Sequence, residues 1–113
     1  MKPQTDPFYQ SARWKHLREA ILRRDGYRCQ IAKRTKLIPV EATIVHHIFP
    51  REIFPEYQWE PWNLISLSMA EHNRMHDRNT DKLTGAGKIL LFKTARKRGM
   101  DLEEIKKRIG GGE

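Results

Sequence analysis

The sequence predicts a small α+β domain: a compact ββα unit, with an amino-terminal helix and carboxy-terminal helices packed around it. Three observations carry that expectation. Residues 42–48 (ATIVHHI) form an apolar, β-branched run typical of a strand, and residues 63–68 (NLISLS) read as a second, shorter one. Apolar residues recur at helical spacing on both sides of this pair. Four of the five histidines fall in one stretch, with His46 and His47 adjacent, His72 and His76 four apart, and Asn63 between the pairs.

Length and composition bound the rest. A chain of 113 residues with 38% hydrophobic content suits one domain over residues 1–113, its core over about 27–79. Such a core is modest, so a bound metal ion would add usefully to stability. Twenty-two Lys and Arg against fourteen Asp and Glu give a net charge of +8 and a pI near 9.9. That balance points to a polyanionic partner, nucleic acid before membrane, without separating DNA from RNA. No run of eighteen apolar residues and no amino-terminal signal is evident, so no membrane association is expected. Cys29 is the only cysteine, which excludes an internal disulfide and fits a cytoplasmic location.

Taken in order, residues 1–7 read as a short extended or disordered lead. Residues 8–25 read as a helix, with Phe8, Ala12, Trp14, Leu17, Ala20, Ile21 and Leu22 at helical spacings. Asp6 or Ser11 can cap its start, Arg23 and Arg24 suit its negative end, and Gly26 stops it. Its arginines, Arg13 among them, either contact phosphate or form a solvated face. Residues 27–31 and 37–40 suggest a small hairpin turning at 33–36. Cys29 has Ala32 where a zinc ribbon needs a second cysteine, so a small buried apolar role fits it best. The connection over 49–62 carries six large apolar side chains and is expected to pack on the core. Ser68 then caps a helix over 69–79, with Glu71 placed for a capping box. Residues 81–87 read as a turn, 88–97 as a helix with Ile89, Leu90, Phe92 and Ala95 available for burial. Asp101 caps a last helix through Arg108, with Leu102, Ile105 and Ile109 on one stripe. The GGGE ending is expected to fray.

The histidines carry the chemistry. On a helix, His72 and His76 project from one face about a turn apart and can reach one ion. On a strand, His46 and His47 point to opposite faces, so only one of them easily joins that ion. The other is left nearby with a free imidazole. Three ligands, an open coordination position and a base titrating near neutrality form an arrangement that hydrolytic chemistry uses. Asn63 either holds the connection through its amide or is an ordinary turn residue.

In its order His46-His47, Asn63, His72-Asn73-Arg74-Met75-His76, the stretch resembles the HNH endonucleases, also called ββα-metal or His-Me finger nucleases. It is most similar to the paired-histidine sites of the nuclease colicins. The segments FYQSARWKHLR and RRDGYRC are similar to small phage and prophage HNH proteins, and together the likeness spans residues 8–79. The resemblance implies that His47 is the general base, that His46, His72 and His76 hold one divalent ion, and that Asn63 fixes the loop bearing the base. It implies hydrolysis of DNA phosphodiester bonds, by nicking or double-strand cutting, leaving 5′-phosphate and 3′-hydroxyl ends. Arg51, Arg74 and Arg78 are candidate phosphate contacts near the site, each equally well placed as plain surface.

Two departures matter. Many phage relatives carry Asp directly before the base, where this chain has His46, and many carry two CxxC pairs where only Cys29 stands. Three neutral imidazoles favour zinc, nickel or cobalt, with magnesium or manganese still admissible. Residue chemistry does not exclude RNA. A non-catalytic, metal-stabilised DNA-binding or packaging protein is the competing reading, although such a protein has no need of His47. The carboxy-terminal helices have three open roles: docking a partner such as a phage terminase, dimerising, or finishing the core.

Overall fold

The computed structural model describes residues 6–110, so most of the expected extended lead and of the frayed ending lie outside the described residues. The elements run α1 (Pro7–Gln10), α2 (Ala12–Arg24), β1 (Ile44–His47), β2 (Leu64–Leu67), α3 (Met69–Met75), α4 (Gly85–Lys97) and α5 (Leu102–Arg108). Single 3-10 turns at Ala32–Arg34, Pro55–Tyr57 and Pro61–Asn63 punctuate the connections.

The expected first helix is two helices, because Ser11 is extended at φ −70°, ψ 148°. Its hydroxyl donates to the Phe8 carbonyl (2.8 Å) and accepts from the Trp14 amide (3.1 Å). One side chain thus closes α1 and opens α2, the competition with helix backbone for which serine is suited. Asp6 caps α1, accepting from the Phe8 amide at 3.0 Å. Both expected caps are therefore in use. Trp14, Ile21 and Leu22 are buried, whereas Ala12 and Ala20 face solvent.

Arg24 does more than complement a helix end. It donates to the carbonyls of Pro61 (2.9 Å) and Leu64 (2.7 Å) and pairs with Asp25 (2.9 Å). Asp25 in turn accepts from the Ser66 amide at 3.1 Å, so the end of α2 is laced to β2.

The hairpin expected over 27–40 is reduced to one bridge, Arg28↔Glu41. The Cys29 amide reaches the Val40 carbonyl at 2.7 Å, and the 3-10 turn Ala32–Arg34 falls near the expected turn, while residues 37–40 form no strand. Cys29 is buried, as its lone thiol suggested.

β1 and β2 pair antiparallel, His46 opposite Ile65 and His47 opposite Leu64. One face of this ribbon, with Val45 and Leu64, packs on Trp14, Ile21 and Leu22 of α2. The other presents Ile65 and Leu67 to Met75 of α3, Leu90, Leu91 and Ala95 of α4, and Ile105 of α5. The aromatic connection does pack on the core: Phe49 meets Phe54, Tyr57 and Trp62 at ring separations of 5.0, 5.5 and 5.7 Å.

Helix α3 starts at its Ser68 cap but stops at Met75 rather than 79. Asp77 accepts from the amides of Asn79 (2.8 Å) and Thr80 (3.0 Å), which offers the backbone a turn in place of the helix. His76 is consequently extended (φ −128°, ψ 142°) and bridges Leu83. Glu71 pairs with Arg74 at 3.0 Å. Thr84 caps α4 earlier than expected, and Leu91 is buried while Ile89, at 71% exposure, faces solvent. Asp101 caps α5 as expected, accepting from the Glu103 and Glu104 amides. No helix among the described residues is long and apolar enough to cross a membrane.

Candidate active site

Strand alternation divides the adjacent histidines as expected. His46 leaves β1 on the α3 side, where its ring lies 5.4 Å from that of His72 and 5.2 Å from that of His76. The His72 and His76 rings are themselves 5.4 Å apart. One nitrogen from each of the three falls within 4.8 Å of the others, a grouping able to hold a metal ion. The geometry differs from the expected route to it. Only His72 is helical, and His76 reaches the cluster from the extended residue after α3.

The donor chemistry fits a cation. His46 Nε2 and His72 Nδ1 are buried without a hydrogen-bond partner among the described residues, a costly state for two polar atoms. His76 Nδ1 faces the Asp81 carbonyl at 3.3 Å. A carbonyl only accepts, so Nδ1 carries the proton there and Nε2 keeps the lone pair that a metal would take. Asp81 presents that carbonyl from φ 61°, in the left-handed region that Asp tolerates better than most residues. Burial, then repulsion from the neighbouring imidazoles, drives the His46 pKa well below its ordinary value. Burial, then repulsion from His76, takes His72 down to about 4. His46 and His72 are therefore held neutral, the form that coordinates a metal.

His47 occupies the opposite face, 7% exposed. Its ring stacks on Trp14 at 5.2 Å and 20°, and meets Phe8 edge-on at 5.7 Å. Nε2 lies 3.1 Å from the Gln58 carbonyl, which fixes the proton on Nε2 and leaves the lone pair on Nδ1. Burial lowers its pKa to about 4, well under the near-neutral value expected of a base here, so the ring is neutral at physiological pH.

Asn63 is fully buried in the turn immediately before β2. Its carbonyl oxygen accepts from the Phe49 amide at 2.7 Å. Its amide donates to the carbonyls of Phe49 (3.2 Å) and Tyr57 (3.1 Å). It therefore joins the start of the connection, two residues beyond His47, to the turn that ends one residue before Gln58.

A cavity of about 580 Å³ reaches both the three-histidine cluster and His47. Of Arg13, Arg51, Arg74 and Arg78, Arg51 lines it. Arg51 pairs with Asp6 at 3.1 Å and lies over the Phe8 ring at 4.2 Å, pinning α1 beside the cavity. Arg74 is engaged with Glu71, Arg78 is exposed, and Arg13 lies over Trp59 at 4.0 Å. Arg18, one of the first-helix arginines weighed as phosphate contacts, also lines the cavity, as do Tyr9 and Lys15, which sequence reasoning did not single out. Lys15 and Arg18 lie one and four residues from the buried Trp14, a placement that puts them beside its face of α2. That spacing was the available signal.

The two-stranded ribbon, the helix after it and the histidine cluster at their junction define a ββα-metal fold. Among solved structures, the chain is similar to the manganese-bound crystal structure of the HNH endonuclease of the deep-sea thermophilic bacteriophage GVE2. The two share 38% identity and a TM-score of 0.58, over 63% of this chain and 76% of that one. The chain belongs to the HNH endonuclease family. No family model and no curated protein matches the sequence.

Proposed function

We propose that this chain is a metal-dependent endonuclease hydrolysing DNA phosphodiester bonds. The observation that supports it best is the state of His47: neutral, proton fixed on Nε2, and lining the cavity that the three-histidine cluster also reaches. A stapling metal site has no use for such a residue, whereas hydrolysis needs a base there.

In this reading His46, His72 and His76 hold one divalent ion. When bound, it supplies Lewis-acid stabilisation of negative charge on phosphate oxygens. His47 takes a proton from water through Nδ1. The water oxygen bonds to phosphorus as the P–O3′ bond breaks, and the departing 3′ oxygen takes a proton from solvent, leaving a 5′-phosphate and a 3′-hydroxyl. Stacking on Trp14 and the Gln58 carbonyl keep the imidazole from rotating. Asn63 holds the connection on which Gln58 sits. Lys15, Arg18 and Arg51 provide positive charge along the cavity for the substrate phosphates. Arg13, Arg74 and Arg78 are peripheral contacts to the backbone of the same strand or its neighbour. Three imidazole donors favour zinc, nickel or cobalt over magnesium; manganese is the ion in the phage GVE2 structure.

The test is nicking of supercoiled plasmid, and of an RNA hairpin in parallel, across a series of divalent metals. The His47→Ala variant is expected to lose cleavage by at least about a hundredfold, the usual share of a general base, while still binding one equivalent of zinc. A variant that bound zinc and cut as fast as the parent would remove His47 from the mechanism. A parent that bound metal and duplex but cut nothing would leave only a metal-stabilised binding protein.

A further inference from the structure

The segment between α2 and β1 carries a feature that the histidine site does not use. Leu37 is fully exposed (103%) and Ile38 nearly so (78%), side by side beyond the 3-10 turn Ala32–Arg34. Each places an aliphatic side chain in water with no neighbour to cover it. Around them, residues 26–40 hold Arg28, Lys33, Arg34 and Lys36 and no acidic residue. Arg28, Lys33 and Lys36 line a cavity of about 190 Å³, with Leu37 on its rim. Pro39 follows directly, which restricts Ile38 to extended conformations and stiffens the tip. The segment is anchored at its base through the Arg28↔Glu41 bridge, the Cys29–Val40 hydrogen bond and the buried Cys29 side chain.

We infer that this segment is a second nucleic-acid contact, in which Leu37 and Ile38 wedge between base steps while Arg28, Lys33 and Lys36 hold the adjacent phosphates. The pairing of chemistries selects the partner. Apolar side chains that part stacked bases need cations beside them for the backbone, because a duplex presents its apolar faces only between charged strands. A protein partner would be expected to meet Leu37 and Ile38 without four surrounding cations. The stiff tip also limits the ordering cost of insertion.

The inference stands apart from the nuclease reading, since wedging needs no hydrolysis. The experiment is therefore a binding one, with the full chain, a duplex carrying 2-aminopurine at successive positions, and EDTA to prevent cleavage. Circular dichroism checks the fold, and if EDTA unfolds the chain, the His47→Ala variant with zinc replaces it. Binding by the parent is expected to raise 2-aminopurine fluorescence at one step through unstacking. L37S/I38S, altering only exposed side chains, is expected to melt like the parent, lose the fluorescence rise and bind at least about tenfold more weakly. Its salt dependence stays as steep. K33Q/K36Q is expected to reduce that salt slope by about two while keeping the rise at saturation. An L37S/I38S variant that bound and unstacked like the parent would overturn the inference. So would Leu37-dependent binding to phosphatidylserine vesicles, or Leu37-dependent dimerisation in sedimentation, with no change at the duplex. Wedge binding without cutting sinks the nuclease reading alone, and cutting with an inert wedge sinks this one alone.

Discussion

Asn63 shows how one side chain supports a site it does not enter. Its three hydrogen bonds all end on backbone groups of the connection after β1, and it is completely shielded from water. Truncation to Ala leaves those groups buried without partners, at a cost of about 3 kcal/mol once partial compensation is allowed for. The expected outcome for Asn63→Ala is that loss in urea unfolding, with cleavage reduced at temperatures where the variant is fully folded. Zinc affinity should fall little, because the three ligands stand on other elements. Equal losses in cleavage and zinc binding would contradict this separation. The amide's versatility was legible from sequence, but its partners were not, because a turn residue and a buried clamp look alike until the connection folds back. His46 and His47 were legible for the opposite reason: strand alternation alone sends them to opposite faces. The aromatic wall around His47 was hidden, since helical spacing says that Trp14 is buried but not what it meets.

At the scale of elements, the joint between α3 and α4 decides where His76 stands. A Cβ on Gly87 would lie 2.5 Å from the Met75 carbonyl and 2.8 Å from Leu83 Cδ2. Only glycine lets α4 approach this closely, and Met75 is the residue before His76. Gly87→Ala must push α4 away or displace the Met75 carbonyl, with an expected destabilisation of about 1–3 kcal/mol. Zinc affinity should weaken with it, because His76 moves with its neighbour. Gly85→Ala is the control: nothing lies within 4 Å of its Cβ, and it should be neutral or slightly stabilising. Isothermal titration and thermal unfolding of both variants test the pair, and equal zinc affinities would rule out the coupling. The sequence showed His72 and His76 at helical spacing, and that reached the right cluster by a partly wrong route. Asp77 ends the helix early through a local turn, a competition that periodicity does not weigh. The same limit made the hairpin over 27–40 look more regular than it is, because β-branched residues there serve a loop.

For the molecule as a whole, the site is a source of acid sensitivity. His46, His47 and His72 are all held below their ordinary pKa chiefly by burial, His47 and His72 at about 4. The unfolded chain therefore takes up protons near pH 6.5 that the folded chain resists until near pH 4. Stability is fully present above about 6.5 and falls as the pH is lowered through that window, before most carboxylates titrate. For His47, which is almost fully buried, the loss by pH 4 is on the order of 3 kcal/mol. Metal opposes the trend, since an ion bound only by the folded chain adds about 2.7 kcal/mol at a hundred times its dissociation constant. Urea unfolding of the metal-free chain from about pH 7 to about pH 4.5 should show the decline. His47→Phe, which keeps a ring against Trp14, should flatten it by up to about 1.4 kcal/mol per pH unit while abolishing cleavage. Zinc should raise the unfolding midpoint of parent and His47→Phe alike, because His47 faces away from the cluster. A metal-free chain equally stable across that range would mean that the histidines are not buried in solution as they are here, and the neutral base would lose its physical basis.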